Sequence, residues 1–181
     1  MSNFDDLLEN NKRFAATDFG HRLPEIPFLP NKQVYVLTCI DPRVEPADIL
    51  GLHIGDAIVA RTVGGRVNQS FLDDLAWISY LHETVTPDAD WFELAVIHHT
   101  DCGSALMADD KLRNGFLERG FDETTLRATA VSDPATTVPL DVGKILNSPT
   151  ASDRIRVSGY TYNVATGRLT LVTPPTSRSA D

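Results

Sequence analysis

Three short apolar runs punctuate the first hundred residues: "QVYVLTCI" from Gln33, "DAIVART" from Asp56 and "WFELAVIHH" from Trp91. Each is brief, mostly apolar and bounded by polar or turn-forming residues, which predicts strands buried in a sheet. Helical spacing fills the intervals. "NQSFLDDLAWISYLHETV" sets Phe71, Leu72, Leu75, Ile78 and Leu81 on one stripe. "EPADILGL" reads as a short helix ending near Gly51, and "SALMADDKLRNGFLERG" as a further helix. Strands alternating with helices predict an α/β fold with a central, mainly parallel sheet flanked by helices.

The ends of the chain are patterned differently. "NFDDLLENNKRFAA" is predicted helical, with Phe4, Leu7, Leu8 and Phe14 near one face and Asp5 and Asp6 in its first turn. "HRLPEIPFLPNK" follows, and three prolines in twelve residues predict an extended connector. Residues 1–32 are therefore expected to form an N-terminal helical arm held off a single domain over 33–172. From Phe121 to Asn147 the pattern is weak: the Ser/Thr/Pro stretch "VSDPATTVPLD" is followed by a short helical piece. "RIRVSGYTYNVATGRLTLV" predicts a closing hairpin with Gly167 at its turn, and 173–181, "TPPTSRSAD", a disordered tail.

The formal net charge of −9 gives no basic footprint for nucleic acid or anionic lipid. No apolar run approaches the ~20 residues of a membrane helix, and "MSNFDDLLEN" does not read as a secretory signal. A cytoplasmic location is the expectation. In a reducing compartment the two cysteines, Cys39 and Cys102, favour metal or redox chemistry over a disulfide scaffold.

Both cysteines fall where a predicted strand opens into a loop: Cys39 in "CIDPR" and Cys102 in "HHTDCG". Ligands of open α/β sheets bind beyond the carboxyl ends of strands. His99-x-x-Cys102 can wrap one ion from a short loop, and Cys39 would add a third ligand from another strand, leaving one zinc position open. His98 and His99 leave the strand toward opposite faces, so they cannot both face one ion easily. Taken alone, the spacing leaves other readings open. The cysteines can be small core residues, a redox pair, or part of a structural zinc site.

Three ordered motifs carry a more specific signal. "CIDPR", then "GDAIVARTVGG", then "HHTDCG" resembles the β-class carbonic anhydrase family, in the compact branch that also includes carbonyl sulfide hydrolases. The likeness runs from about Gln33 to Val172 and includes the closing hairpin. It implies zinc held by Cys39, His99 and Cys102, with Asp41 and Arg43 as the family's Asp–Arg dyad. The resemblance further implies that Asp41 would orient a zinc-bound hydroxide and Arg43 would keep Asp41 ionised and fixed, with a closed state as the alternative, in which the family's Asp binds zinc in place of water. The implied reaction is attack on a small linear cumulene: hydration of carbon dioxide to bicarbonate or, alternatively, hydrolysis of carbonyl sulfide to hydrogen sulfide and carbon dioxide. The family's active site lies between subunits, so a homodimer or larger homo-oligomer is implied, with the arm as a candidate grip. The chain departs from the family pattern at "RTVGG", where Thr62 and Val63 replace Asn and Ala, and at Pro42.

The remaining candidates have plainer readings. His98 is expected to pack behind the site, and His53 and His82 to lie on the surface. Asp101 is read as a loop residue and Arg61 as a structural ion-pair or partner contact. Phe71, Trp77 and Tyr80 are core or interface candidates.

Overall fold

A computed structural model describes residues 4–178. Five strands form one mixed sheet in the order β2-β1-β3-β4-β5: β1 (Val34–Cys39), β2 (Ala57–Thr62), β3 (Glu93–His99), β4 (Arg156–Asn163) and β5 (Arg168–Thr176). The first four are mutually parallel and β5 runs antiparallel to β4. The chain leaves β1 toward β2, then crosses back to place β3 on the other flank of β1. The sheet therefore changes direction between β1 and β3, the place where open α/β sheets leave a crevice beyond the strand ends.

The sheet's two faces are covered unequally. On one, Tyr35, Leu37, Leu94, Val96 and Val157 meet Phe71 and Leu75 of α4 (Gln69–Val85) and Val138, Val142 and Ile145 of α7 (Pro134–Leu146). On the other, a smaller cluster of Val36, Val44, Ile97 and Tyr162 packs with Ile49 of α3 (Pro46–Leu50). Both central strands touch apolar side chains on two faces, hence their nearly unbroken apolar sequence. Helix starts are fixed by side-chain caps: Asn68 accepts from the Phe71 amide at α4, and Asp133 from the Ala135 amide at α7.

Several boundaries differ from the sequence reading. The weakly patterned "VSDPATTVPLD" is mostly helical. After Asp133 it enters α7, preceded by α6 (Glu123–Thr129). Pro134 occupies the first helical turn, where its missing N–H costs nothing. Pro139 lies inside the helix, where burial of Val138, Val142 and Ile145 outweighs the broken hydrogen bond. The segment after Cys102 forms a 3-10 turn over Gly103–Ala108, then α5 (Asp110–Leu117), so the predicted single helix breaks at Asp109. β5 continues through Pro174 and Pro175 to Thr176, four residues into the expected disordered tail. An edge strand tolerates proline because one side of its ladder has no partner. Residues 179–181 of that tail lie outside the described residues. The connector contains a 3-10 turn at Leu23–Glu25.

α1 (Asp5–Ala15) and α2 (Asp18–His21) pack on one another and bury no residue. Phe4, Leu7, Leu8 and Phe19 stay exposed on this arm. No helix among the described residues is long and apolar enough to cross a membrane.

Candidate metal centre

Cys39 is the last residue of β1, and His99 is the last residue of β3. Parallel pairing of these neighbouring strands brings their carboxyl ends side by side, and the Thr38 hydroxyl donates across to the Ile97 carbonyl at 3.0 Å. Cys102 follows three residues after His99. Ligand atoms of Cys39, His99 and Cys102 lie within 4.8 Å of one another, and all three side chains are buried. The two sulfurs are 3.9 Å apart and both cysteines are free.

The imidazole of His99 tests whether these residues suit an ion. Its Nδ1 lies 2.9 Å from the Thr100 carbonyl, an acceptor only, so Nδ1 carries the proton and donates. Nε2 then presents a lone pair beside the Cys102 sulfur, and it is buried with no nitrogen or oxygen donor to meet it among the described residues. A buried acceptor left unmatched costs about 1–3 kcal/mol, a cost that a metal removes. Two thiols and one oriented imidazole are the soft and borderline donors that zinc prefers. The residues therefore fit a zinc ion. Contact with Cys102 pushes the Cys39 thiol up, and the same contact, with His99 and Ser104 adding to it, pulls the Cys102 thiol down to about 4. Proton sharing of this kind is expected where two sulfurs are built to be thiolates together.

Asp41 and Arg43 flank this group on the turn "CIDPR". Arg43 binds Asp41 through three donors: its backbone N–H and Nε reach Oδ1 at 2.9 and 3.0 Å, and Nη2 reaches Oδ2 at 2.8 Å. These bonds hold the Asp41 carboxyl down at about 2, so it is ionised at neutral pH. Asp41 Oδ2 lies 3.9 Å from His99 Nε2, facing the ligand group. Arg43 also grips the second ligand loop: Nη1 donates to Asp101 Oδ2 at 2.7 Å and Nη2 to the Asp101 carbonyl at 2.8 Å. Asp101 is thus a partner of the dyad arginine, a role its sequence position did not disclose. Its φ of 55° turns the loop toward Arg43.

Arg61 supports the same turn from β2. It donates to the carbonyls of Cys39, Asp41 and Val44 at 2.7 to 3.0 Å and pairs with Glu45 at 2.8 Å. The expected structural role matches these contacts. His98 points away from the ligand group and is fully buried, with Nδ1 2.8 Å from Thr137 Oγ1 and Nε2 3.1 Å from the Gly65 carbonyl. His53 is exposed as expected, but His82 is not. It is buried, stacked on Trp91 at 4.4 Å and bonded to Thr86 and the Asp90 carbonyl. Phe71 is core, whereas Trp77 and Tyr80 are exposed. Val63 and Ile40, also exposed, line a groove beside the Cys39 turn with Arg61 and Trp77.

Fold and site together define a class: an α/β protein whose sheet carries a candidate transition-metal centre at its switch point, beside a fixed carboxylate. Comparison with known proteins narrows it. Residues 34–137 match the sequence model of the carbonic anhydrase family. β-Carbonic anhydrase 1 of Mycobacterium tuberculosis is 30% identical over 178 residues, covering 96% of this chain and 100% of that protein. A carbon disulfide hydrolase of Acidianus is 24% identical, over 77% of this chain and 76% of its own. Among solved structures, the carbonic anhydrase of Streptococcus mutans superposes with a TM-score of 0.75 at 29% identity, covering 96% of this chain and 99% of that one. The chain belongs to the β-class carbonic anhydrase family.

Proposed function

We propose that the protein hydrates carbon dioxide to bicarbonate, reversibly, as a zinc enzyme whose metal ligands are Cys39, His99 and Cys102. The observation that carries this reading is the buried Nε2 of His99, met by no nitrogen or oxygen donor among the described residues, set among two sulfurs and facing an ionised carboxylate. Zinc bound there would supply a nucleophile at neutral pH, by lowering the pKa of a water in its fourth position.

The chain's own residues do the rest. Asp41 Oδ1 is saturated by two donors of Arg43, whereas Oδ2 accepts only Nη2 and keeps a lone pair toward the ligand group. Oδ2 accepts the hydrogen bond of the attacking water and so points an oxygen lone pair at the substrate carbon. Arg43 keeps that carboxylate charged and prevents its rotation. Addition of one water to carbon dioxide gives bicarbonate and one proton, which leaves to solvent. Stopped-flow hydration of carbon dioxide with a pH indicator tests the reading. Turnover that disappears in Asp41→Asn while zinc stays stoichiometric supports it. Absence of turnover in zinc-loaded wild-type protein overturns it.

A second reading has one observation in its favour. Val63 and Ile40 expose apolar side chains in the groove beside the turn, and Val63 stands where the family pattern has the smaller Ala; a relative is a carbon disulfide hydrolase. An apolar wall favours carbonyl sulfide, hydrolysed by one water to hydrogen sulfide and carbon dioxide. Hydrogen sulfide release from carbonyl sulfide that exceeds carbon dioxide hydration would make this the principal activity. A zinc protein without turnover is the outcome in which neither gas reacts. The exposed apolar residues of α1 and α2 support a homodimer gripped by the arm, and two free cysteines suit a reducing cytoplasm.

A further inference from the structure

Behind the ligand group lies a buried polar cluster that the proposed chemistry does not use. Its centre is Asp141 on α7, fully buried. Its Oδ2 accepts from Arg66 Nε at 2.6 Å and from the Val67 amide at 3.1 Å. Its Oδ1 accepts from Arg66 Nη2 at 3.0 Å and lies 2.7 Å from Lys144 Nζ. His98 Nε2 stands 3.3 Å from Asp141 Oδ2 and 3.1 Å from the Gly65 carbonyl, and Thr137 holds the other ring nitrogen. Every one of these contacts bears on one short stretch, Gly64–Val67, or on a residue that bears on it.

That stretch is pressed against the ligand group. Among the neighbours that favour the Cys39 thiolate is the Gly64 backbone N–H. A Cβ on Gly65 would stand 3.1 Å from the Cys39 nitrogen, and one on Gly64 would stand 2.8 Å from Ser104 Oγ, whose oxygen is itself 3.1 Å from Cys102 Sγ. The glycine turn thus touches the surroundings of both sulfurs, and its position is set from α7. Hydrogen bonds to thiolate sulfur withdraw electron density and tune the metal it binds.

We propose that Asp141 is a positioning residue: through Arg66, the Val67 amide and His98 it fixes the Gly64–Gly65 turn against the Cys39 backbone and against the Ser104 hydroxyl that contacts the Cys102 sulfur. This inference rests on the zinc reading above and extends it to residues remote from the substrate. Asp141 touches neither ligand nor substrate. Its carboxylate accepts from donors that would otherwise be buried unpaired, and Asn in its place keeps the shape but loses the charge and half of the acceptor capacity.

The test uses cobalt-substituted protein, in which sulfur-to-cobalt charge transfer reports the electron density on the thiolates. Asp141→Asn and Thr137→Val are measured in parallel, so a variant that fails to fold leaves the other to decide. The expected result is a displaced charge-transfer band and metal affinity lowered by about 10-fold or more, read by competition with a chelator. Ile145→Val loosens the same helix without touching the cluster, and is expected to lower the Tm while leaving band and affinity unchanged. If Asp141→Asn or Thr137→Val lowers the Tm but leaves band and affinity like those of Ile145→Val, the cluster is only structural and the proposal is wrong. If wild-type protein binds no stoichiometric cobalt or zinc, the metal reading itself has failed, a result plainly different from the first.

Discussion

Replacing Gly65 by alanine separates two costs that the structure keeps distinct. Gly65 sits at φ 68°, a left-handed conformation that disfavours an L side chain by ~1–2 kcal/mol. A Cβ there would also stand 3.0 Å from the Ile97 carbonyl oxygen and 3.1 Å from the Cys39 nitrogen and Thr38 carbonyl carbon. All three are backbone atoms of the two central strands and cannot swing aside, which adds overpacking of ~1–3 kcal/mol. Gly51, at φ 65°, closes α3 with nothing within 4 Å of its would-be Cβ. Gly51→Ala pays the conformational cost alone, offset in part by a stiffer unfolded chain. The expected loss is therefore about 1 kcal/mol for Gly51→Ala and about 3 kcal/mol for Gly65→Ala. For a chain of this length that means a fall in Tm of ~2–4 °C against ~6–12 °C. Calorimetry should be run on metal-loaded and chelator-treated protein. The gap between the two variants is expected to widen with metal, because the Gly65 clash displaces the backbone of a ligand residue. Equal shifts for the two glycines, with and without metal, would refute the crowded turn against β1 and β3.

Four further outcomes follow from the site. Asp41→Asn is expected to cut carbon dioxide hydration by about 10²-fold or more with zinc retained, whereas Asp101→Ala, whose partner Arg43 still holds Asp41 through three donors, should cost under ~1 kcal/mol in thermal stability. Burial opposes the Asp141 charge, but bonds from His98, Arg66 and Lys144 prevail and hold its carboxyl below the ordinary range. Its folded pKa lies below its unfolded one, so its contribution is complete above the unfolded value near 3.8 and fades as pH falls toward the folded one. Thermal melts from pH 5 down to about pH 2 should therefore show an acid-side loss of stability, setting in below the unfolded value, that is weaker in Asp141→Asn. Chelation should lower the Tm and leave the two sulfurs, 3.9 Å apart, open to oxidation, detected as a mass loss of two hydrogens that zinc prevents.

The strands were legible because apolar runs fix β1 and β3; the candidate set of Cys39, His99 and Cys102 came from the resemblance of the ordered motifs, with spacing favouring His99 over His98, and the structure brings the three side chains together. What stayed hidden depends on partners far away in sequence. The first half of α7 stayed hidden because Thr136, Thr137 and Pro139 argue locally against a helix, and only burial against the sheet reverses them. Asp141 carried no signal in the sequence, since its partners Arg66 and Val67 lie 75 and 74 residues earlier. His82 was misjudged for the same reason: a histidine on an amphipathic helix reads as exposed until Trp91 stacks upon it. Asp101 could be seen beside the ligands, but not that Arg43 would reach it across the sheet end.

Cys39 and Cys102 are separated by 63 residues and meet only after β1 and β3 have paired in parallel. Such non-local pairing comes slowly, because the loop-closure entropy must be spent before the contacts form. An ion therefore finds no ready site in the early chain, and the centre is completed late. Interactions absent from the folding transition state retard unfolding and leave folding speed alone. Bound metal should act as a clasp on the finished sheet, lengthening the native lifetime with little effect on how quickly the fold is reached.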